Sequence, residues 1–217
     1  MSVRQSSNPV RYFVGSMAYM FFSNVFTLGQ SRRLYKKLGD TLRLEPNGVI
    51  IELGCGPGVV TEYLKKNINH NGKIIGVDFA PAMIERALKR KEALGWSNVE
   101  YRCGDARTFS HSTEVDAVVF SLSLTAMPDY QVVLANALKA LRPGGQLIIL
   151  DSIPYPSRTL VDLLANSYIQ LKSYFVGAKP EVGIADFCKN NLDQYKAVKN
   201  LGGVYTLITG YRKALCV

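Results

Sequence analysis

The chain has 217 residues, of which 47% are hydrophobic, 20% charged and 10% aromatic, a profile that excludes disorder, a collagen-like repeat and a coiled coil. A single domain of this length buries about 70% of its unfolded surface and needs no disulfide framework. Cys55, Cys103, Cys188 and Cys216 form no C-x-x-C pair and read as small buried residues in a reducing compartment.

The net charge of +9 is unevenly spread: residues 1–43 hold Arg4, Arg11, Arg32, Arg33, Lys36, Lys37 and Arg43 against the single acid Asp40. Such a terminus suits nucleic acid, an anionic membrane surface or an acidic substrate, and equally a solvated helix face with no partner. The uncharged segment from Tyr12 to Ser31 is broken by Ser16, Ser23, Asn24, Thr27 and Gln30. It falls short of the roughly 18 apolar residues of a spanning helix, and no small-residue cleavage site follows it. The expectation is a cytoplasmic protein whose residues 1–46 form a helical extension to a domain at 47–217.

From Asn47-Gly48 onward the punctuation is regular. Val49 to Leu53 is short, β-branched and stopped by glycines, which predicts a buried strand. A helix follows over Val59–Asn67, a strand over Lys73–Asp78, and a helix over Ala82–Leu94 with Pro81 in its first turn. Val99–Cys103 and Asp116–Ser121 read as strands, Tyr130–Leu141 as a helix ended by Arg142-Pro143-Gly144-Gly145, and Gln146–Ile153 as a fifth strand. Alternation of strand and helix predicts a mostly parallel sheet covered on both faces. Ser157–Phe175 is a further helix, and Gln194–Lys199 with Val204–Arg212 closes the chain as an antiparallel hairpin.

Chemistry concentrates at Glu52-Leu53-Gly54-Cys55-Gly56-Pro57-Gly58, between the first strand and its helix. Three glycines there let the backbone turn tightly and approach a ligand with no Cβ between them. In a doubly wound sheet this position is the carboxyl-end crevice where ligands collect. The G-x-G-x-G spacing differs from the G-x-G-x-x-G of dinucleotide folds, since Val59 stands where the third glycine would be, and this disfavours an NAD-linked oxidoreductase. Asp78 ends the second strand, where a carboxylate can accept both hydroxyls of a ribose. Gly104-Asp105-Ala106 follows the third strand, where a side-chain oxygen can take an adenine amino group.

In this order the motifs resemble those of the class I S-adenosylmethionine-dependent methyltransferases, over roughly Val49 to Ile153. The resemblance implies a Rossmann-like, mostly parallel seven-stranded sheet with a C-terminal antiparallel hairpin, and S-adenosylmethionine as cofactor. It further implies that Gly54, Gly56 and Gly58 form the nucleoside loop, steadied by Glu52. Asp78 would hold the ribose, with Phe79 beside the adenine. Asp105 and Ala106 would close the adenine end, and Ser121 would lie under the methionine moiety. Tyr19-Met20-Phe21-Phe22-Ser23-Asn24 to Gly29, followed by Arg32-Arg33, resembles the N-terminal pattern of the quinone methyltransferases, with a looser version in phospholipid N-methyltransferases. Met20 departs from that pattern, which has an acid there.

The acceptor is narrowed by what the chain lacks. The Asn/Asp-Pro-Pro-aromatic motif of nucleic-acid amine methylation is absent after the fourth strand, which carries Phe120-Ser121-Leu122-Ser123-Leu124-Thr125 instead. No nucleic-acid partner and no metal is expected. A lipid-like small molecule remains, with a phospholipid amine headgroup first and a quinone precursor second. A non-catalytic cofactor-binding module is the alternative of another class. The sulfonium methyl is already activated, so the protein's task is alignment and exclusion of water. Tyr12, Tyr19, Tyr155, Tyr168 and Tyr174 are the aromatic residues available to line the acceptor cleft. His70 and His111 fall in loops and suggest no general base. The N-terminal segment is expected either to lid the cleft or to dock on anionic membrane.

Overall fold

The structure is a computed structural model and describes Thr27, residues 29–176 and residues 178–214. Most of the helical extension expected over residues 1–46 lies outside the described residues, as do Tyr12, Tyr19 and Cys216.

Among the described residues seven strands form one sheet: β1 (Val49–Leu53), β2 (Lys73–Asp78), β3 (Val99–Cys103), β4 (Val115–Ser121), β5 (Leu141–Asp151), β6 (Leu192–Asn200) and β7 (Tyr205–Arg212). Their order is β3-β2-β1-β4-β5-β7-β6. β1 to β5 run parallel, and β7 and β6 are antiparallel additions at one edge. The order reverses between β1, paired Ile50↔Ile74 on one side, and β4, paired Leu53↔Phe120 on the other. A cleft opens at such a switch point because the connections leave in opposite directions from the carboxyl ends of neighbouring strands.

Successive residues of a strand face opposite sides, and both sides here are apolar, as a doubly covered sheet requires. Ile51, Leu53, Val118, Phe120 and Ile149 pack with α4 (Tyr130–Ala140) and α6 (Gly183–Asn191). Ile50, Ile74, Val119, Ile148 and Leu150 pack with α1 (Ser31–Thr41), α2 (Thr61–Lys65) and α3 (Pro81–Ala93). The remaining helix, α5 (Leu160–Val176), packs against the Leu201–Gly203 turn that precedes β7.

The basic run near the N-terminus is itself amphipathic. In α1, Leu34, Tyr35 and Leu38 are buried, while Arg32, Arg33, Lys36 and Lys37 are exposed. The end of α1 is tied to β5 where the Gln146 side chain accepts the Arg43 N–H at 2.8 Å and donates to the Thr41 carbonyl at 3.2 Å.

Three local expectations change. The helix α6 was not foreseen; its core anchors are only Ile184 and Cys188 within nine residues, too few to make a helical period visible. β5 begins at Leu141, because Leu141 pairs with Val115 ahead of the Arg142–Gly145 turn, which forms an irregularity in the ladder. Of the three described cysteines, Cys103 is exposed rather than buried, at the sheet's edge strand.

Candidate functional site

The glycine loop leaves β1 at the switch point, with Gly54, Gly56 and Gly58 all at positive φ (71°, 52° and 72°). The three positions differ in what surrounds them. A Cβ on Gly54 would lie 2.4 Å from the Ser123 Cβ, and one on Gly58 would lie 2.4 Å from the Tyr101 hydroxyl. A Cβ on Gly56 would meet nothing within 4 Å. Gly54 and Gly58 are thus packing glycines, and Gly56 lines open space at the mouth of the crevice.

Asp78 holds this loop in place. One carboxylate oxygen accepts the Gly56 N–H at 2.8 Å, and the other accepts the Ala80 N–H at 2.9 Å. Burial raises its pKa, opposed by those two N–H groups. Each oxygen keeps a further lone pair, so the carboxylate can still accept hydroxyls from a ligand lying on the loop.

Beneath the loop, Glu52 is 1% exposed. Its carboxyl accepts the Thr61 hydroxyl at 2.6 Å, and Thr61 in turn accepts the Tyr101 hydroxyl at 3.0 Å. Burial is the main reason that the Glu52 pKa rises to about 8; the Thr61 bond opposes this and the Asp78 charge adds to it. Glu52 is therefore a neutral carboxyl at pH 7 that braces the loop from below. Burial also drives the Cys55 thiol well above its ordinary value, so this thiol is an inert packing group.

The other expected positions surround the same edge. Phe79 is 49% exposed, and Ala106 is buried in the core. Asp105 forms an ion pair with Arg107, whose guanidinium nitrogen lies 2.6 Å away, and this pair holds the Asp105 carboxyl below its usual range. Ser121 ends β4 with a buried hydroxyl that has no hydrogen-bond partner among the described residues. It is followed by Leu122 at φ 52°, a conformation unusual for leucine that re-aims the chain at the switch point. An open glycine, a carboxylate with spare lone pairs and an orphaned hydroxyl on three adjoining elements fit an adenosyl ligand with a polar tail.

Among the tyrosines assigned to the acceptor side, Tyr174 is 84% exposed, whereas Tyr155 and Tyr168 are half-buried. The Lys199 ammonium lies 4.6 Å from the Tyr155 ring centre. Thr61, Tyr101, Arg107 and Lys172 were not singled out from the sequence. Arg107 stands two residues from Asp105, and Lys172 is the lone basic residue of α5, so both left a faint signal.

A family model described as a methyltransferase domain matches residues 50–145. Carboxy-S-adenosyl-L-methionine synthase from Citrobacter koseri is 33% identical over 132 residues, which are 59% of this chain. The chain spans about half (53%) of that relative's length. Demethylmenaquinone methyltransferase from Lactobacillus johnsonii is 25% identical over 199 residues, covering 91% of this chain and 78% of the relative. The N-methyltransferase NodS from Bradyrhizobium japonicum, solved with S-adenosyl-L-homocysteine, superposes with a TM-score of 0.63 over 87% of each chain at 18% identity, which speaks for the fold alone. The family match begins in β1 and runs through the glycine loop, Asp78, Asp105 and Ser121, and its reach coincides with the elements that build the crevice. On that ground residues 50–145 are similar to a methyltransferase domain, and the elements they supply support S-adenosylmethionine as the cofactor.

Proposed function

We propose that this protein methylates an apolar, lipid-like small molecule, with a quinone precursor ahead of a phospholipid amine. The observation that carries the reaction is the crevice itself, where Gly56 lines open space beside Asp78 and the unpartnered Ser121 hydroxyl. The acceptor's character is supported by α5, which turns Leu160, Val161, Leu164, Leu171 and Tyr174 outward, each more than half exposed. The order of the two acceptors follows a relative aligned over 91% of this chain, a demethylmenaquinone methyltransferase.

When bound, the cofactor supplies a sulfonium methyl that needs no further activation. The chain's own residues bind and orient. Gly56 with Asp78 would hold the nucleoside on the loop that Gly54 and Gly58 shape by packing, Phe79, Asp105 and Ala106 its adenine end, and Ser121 the amino-acid tail. Glu52 braces the loop through Thr61 and Tyr101. Alignment in a water-poor cleft then accounts for most of what the protein must contribute.

Calorimetry with S-adenosylhomocysteine and with NAD, followed by turnover of methyl-labelled cofactor on separated quinone and phospholipid fractions, tests this reading. Label in the quinone fraction is the expected result. Tight NAD binding without S-adenosylhomocysteine binding overturns it, and cofactor binding without transfer to any fraction identifies a non-catalytic module.

The exposed Arg32, Arg33, Lys36, Lys37 and Arg43 support contact with an anionic membrane, each contributing about 1 kcal/mol near such a surface. Co-sedimentation with anionic liposomes should weaken in salt. Equal binding to neutral vesicles, or none to anionic ones, overturns this contact.

A further inference from the structure

A buried lysine occupies the carboxyl edge of the sheet beside the crevice. The loop after β4 leads to it: Ser123 packs against Gly54 and donates to the Leu53 carbonyl at 2.9 Å. Thr125 donates its N–H and hydroxyl to the Asp151 carboxylate at 3.1 and 2.8 Å, and the same carboxylate accepts the Ser152 N–H at 2.8 Å. The Lys172 ammonium, reaching in from α5, donates to the Ser152 hydroxyl and, at 3.1 Å, to the Tyr205 hydroxyl. It also lies 4.1 Å from the Tyr205 ring centre. Lys172 is 8% exposed.

Among the described residues, no carboxylate is hydrogen-bonded to Lys172. Its hydrogen-bond partners among the described residues are neutral hydroxyls, and Asp151, the nearby acid, is occupied by Thr125 and Ser152. A buried ammonium without a direct counter-ion is costly, and fastening a helix does not require one. Burial lowers its pKa to about 8, with the Asp151 charge opposing, so it exchanges protons close to neutral pH. The titratable groups around it are Asp151 on β5, Tyr205 on β7, Tyr168 on its own helix, and Tyr35 of α1 behind Tyr205.

We propose that Lys172 takes up the acceptor's proton and holds the resulting oxyanion, so that the acceptor is a phenol- or enol-type hydroxyl compound and not an amine. This rests on the methyl-transfer reading above. The acceptor's O–H proton passes to the neutral Lys172 amine. The oxygen's electron pair, directly or through the conjugated ring carbon, forms the bond to the methyl carbon. The sulfur–methyl bond breaks with its pair left on sulfur, giving a neutral thioether, and where a ring carbon is methylated the ring restores its aromaticity by losing its own proton to water. The Lys172 ammonium returns its proton to solvent. A neutral amine attacks through its own lone pair and forms no anion for this ammonium to hold, so the site matches an oxygen acid instead.

The test uses the full chain with S-adenosylhomocysteine and 4-nitro-1-naphthol, an apolar phenol whose anion is coloured. In the wild type the bound probe should ionise at least about one pH unit lower than in solution, a tenfold shift in its equilibrium. Lys172→Met should abolish the shift, while Lys172→Arg, still cationic, should keep it. With methyl-labelled cofactor, the wild-type rate should rise with pH through about 8 as the amine becomes neutral, and Lys172→Arg should lose that limb. A probe that titrates in the wild type as it does in solution overturns the proposal, as does a shift that survives in Lys172→Met. A merely structural lysine would lower Tm in Lys172→Met and leave the probe's titration where it was. If the wild type fails to bind S-adenosylhomocysteine, the cofactor reading fails separately, and the probe titration on the cofactor-free chain still decides the role of Lys172.

Discussion

Two alanine substitutions in one loop should have opposite signatures. At Gly58 a methyl group would lie 2.4 Å from the Tyr101 hydroxyl and 3.1 Å from its Cζ. Tyr101 is buried, and its hydroxyl is engaged by Thr61 at 3.0 Å, so the ring cannot swing aside. Left-handed backbone costs an alanine about 1–2 kcal/mol, overpacking a further ~1–3, and the displaced Tyr101–Thr61 bond about 1. Gly58→Ala should therefore lose about 3–6 kcal/mol, a large part of the stability of an ordinary domain. At Gly56 the added methyl meets no protein atom, so Gly56→Ala should lose only the backbone strain of about 1–2 kcal/mol. That methyl would project into the ligand's space, however, and S-adenosylhomocysteine affinity should fall at least about tenfold, or 1.4 kcal/mol. Urea denaturation reads the first effect and calorimetry the second. Adding Tyr101→Phe to Gly58→Ala removes the clashing oxygen and should recover part of the loss. Wild-type affinity in Gly56→Ala would refute the assignment of that space to the cofactor, and equal destabilisation of the two variants would refute the division of roles.

Asp78→Ala removes the acceptor for two ribose hydroxyls, worth about 1.5–3 kcal/mol each, so calorimetry should show at least a tenfold loss of S-adenosylhomocysteine affinity with the fold retained; unchanged affinity would reduce Asp78 to an anchor for Gly56 and Ala80. Ser121→Ala deletes a buried hydroxyl with no described partner, so thermal stability should hold or rise by up to about 1 kcal/mol while cofactor affinity drops. Glu52 has a folded pKa of about 8 against 4.5 for the free group, so the folded state holds the extra proton between those values and the wild type should lose stability as pH climbs through them. Glu52→Gln should flatten that slope and exceed the wild type by at least ~1 kcal/mol at pH 8 in urea titrations; parallel pH curves would show Glu52 ionised in the fold.

The proposed acceptor side was far less legible in the sequence than the proposed cofactor side, and the reason is contact range. The proposed nucleoside cradle is encoded within a few residues of each strand end. Gly54 to Gly58 must follow β1, and Asp78 must end β2, because each acts through its own turn. The network around Lys172 instead joins β5, α5 and β7, with Lys172 twenty residues from Ser152 and thirty-three from Tyr205. No spacing rule links such positions. Tyr174, which was equally plausible by composition, turns outward on the same helix that buries Lys172.

By itself the sequence determined the alternation of strand and helix, and hence a parallel sheet covered on both faces, because buried β-branched runs between glycine turns admit little else. It also determined the antiparallel closing hairpin and the place of the glycine loop at the end of β1. Only the tertiary structure decided which glycine packs and which lines open space. That distinction depends on Tyr101 and Ser123 arriving from β3 and from the loop after β4. The protonation of Glu52 was decided in the same way. A carboxylate in a β-strand is charged until Thr61, Tyr101 and the surrounding core exclude water from it, and that exclusion exists only once the chain has folded.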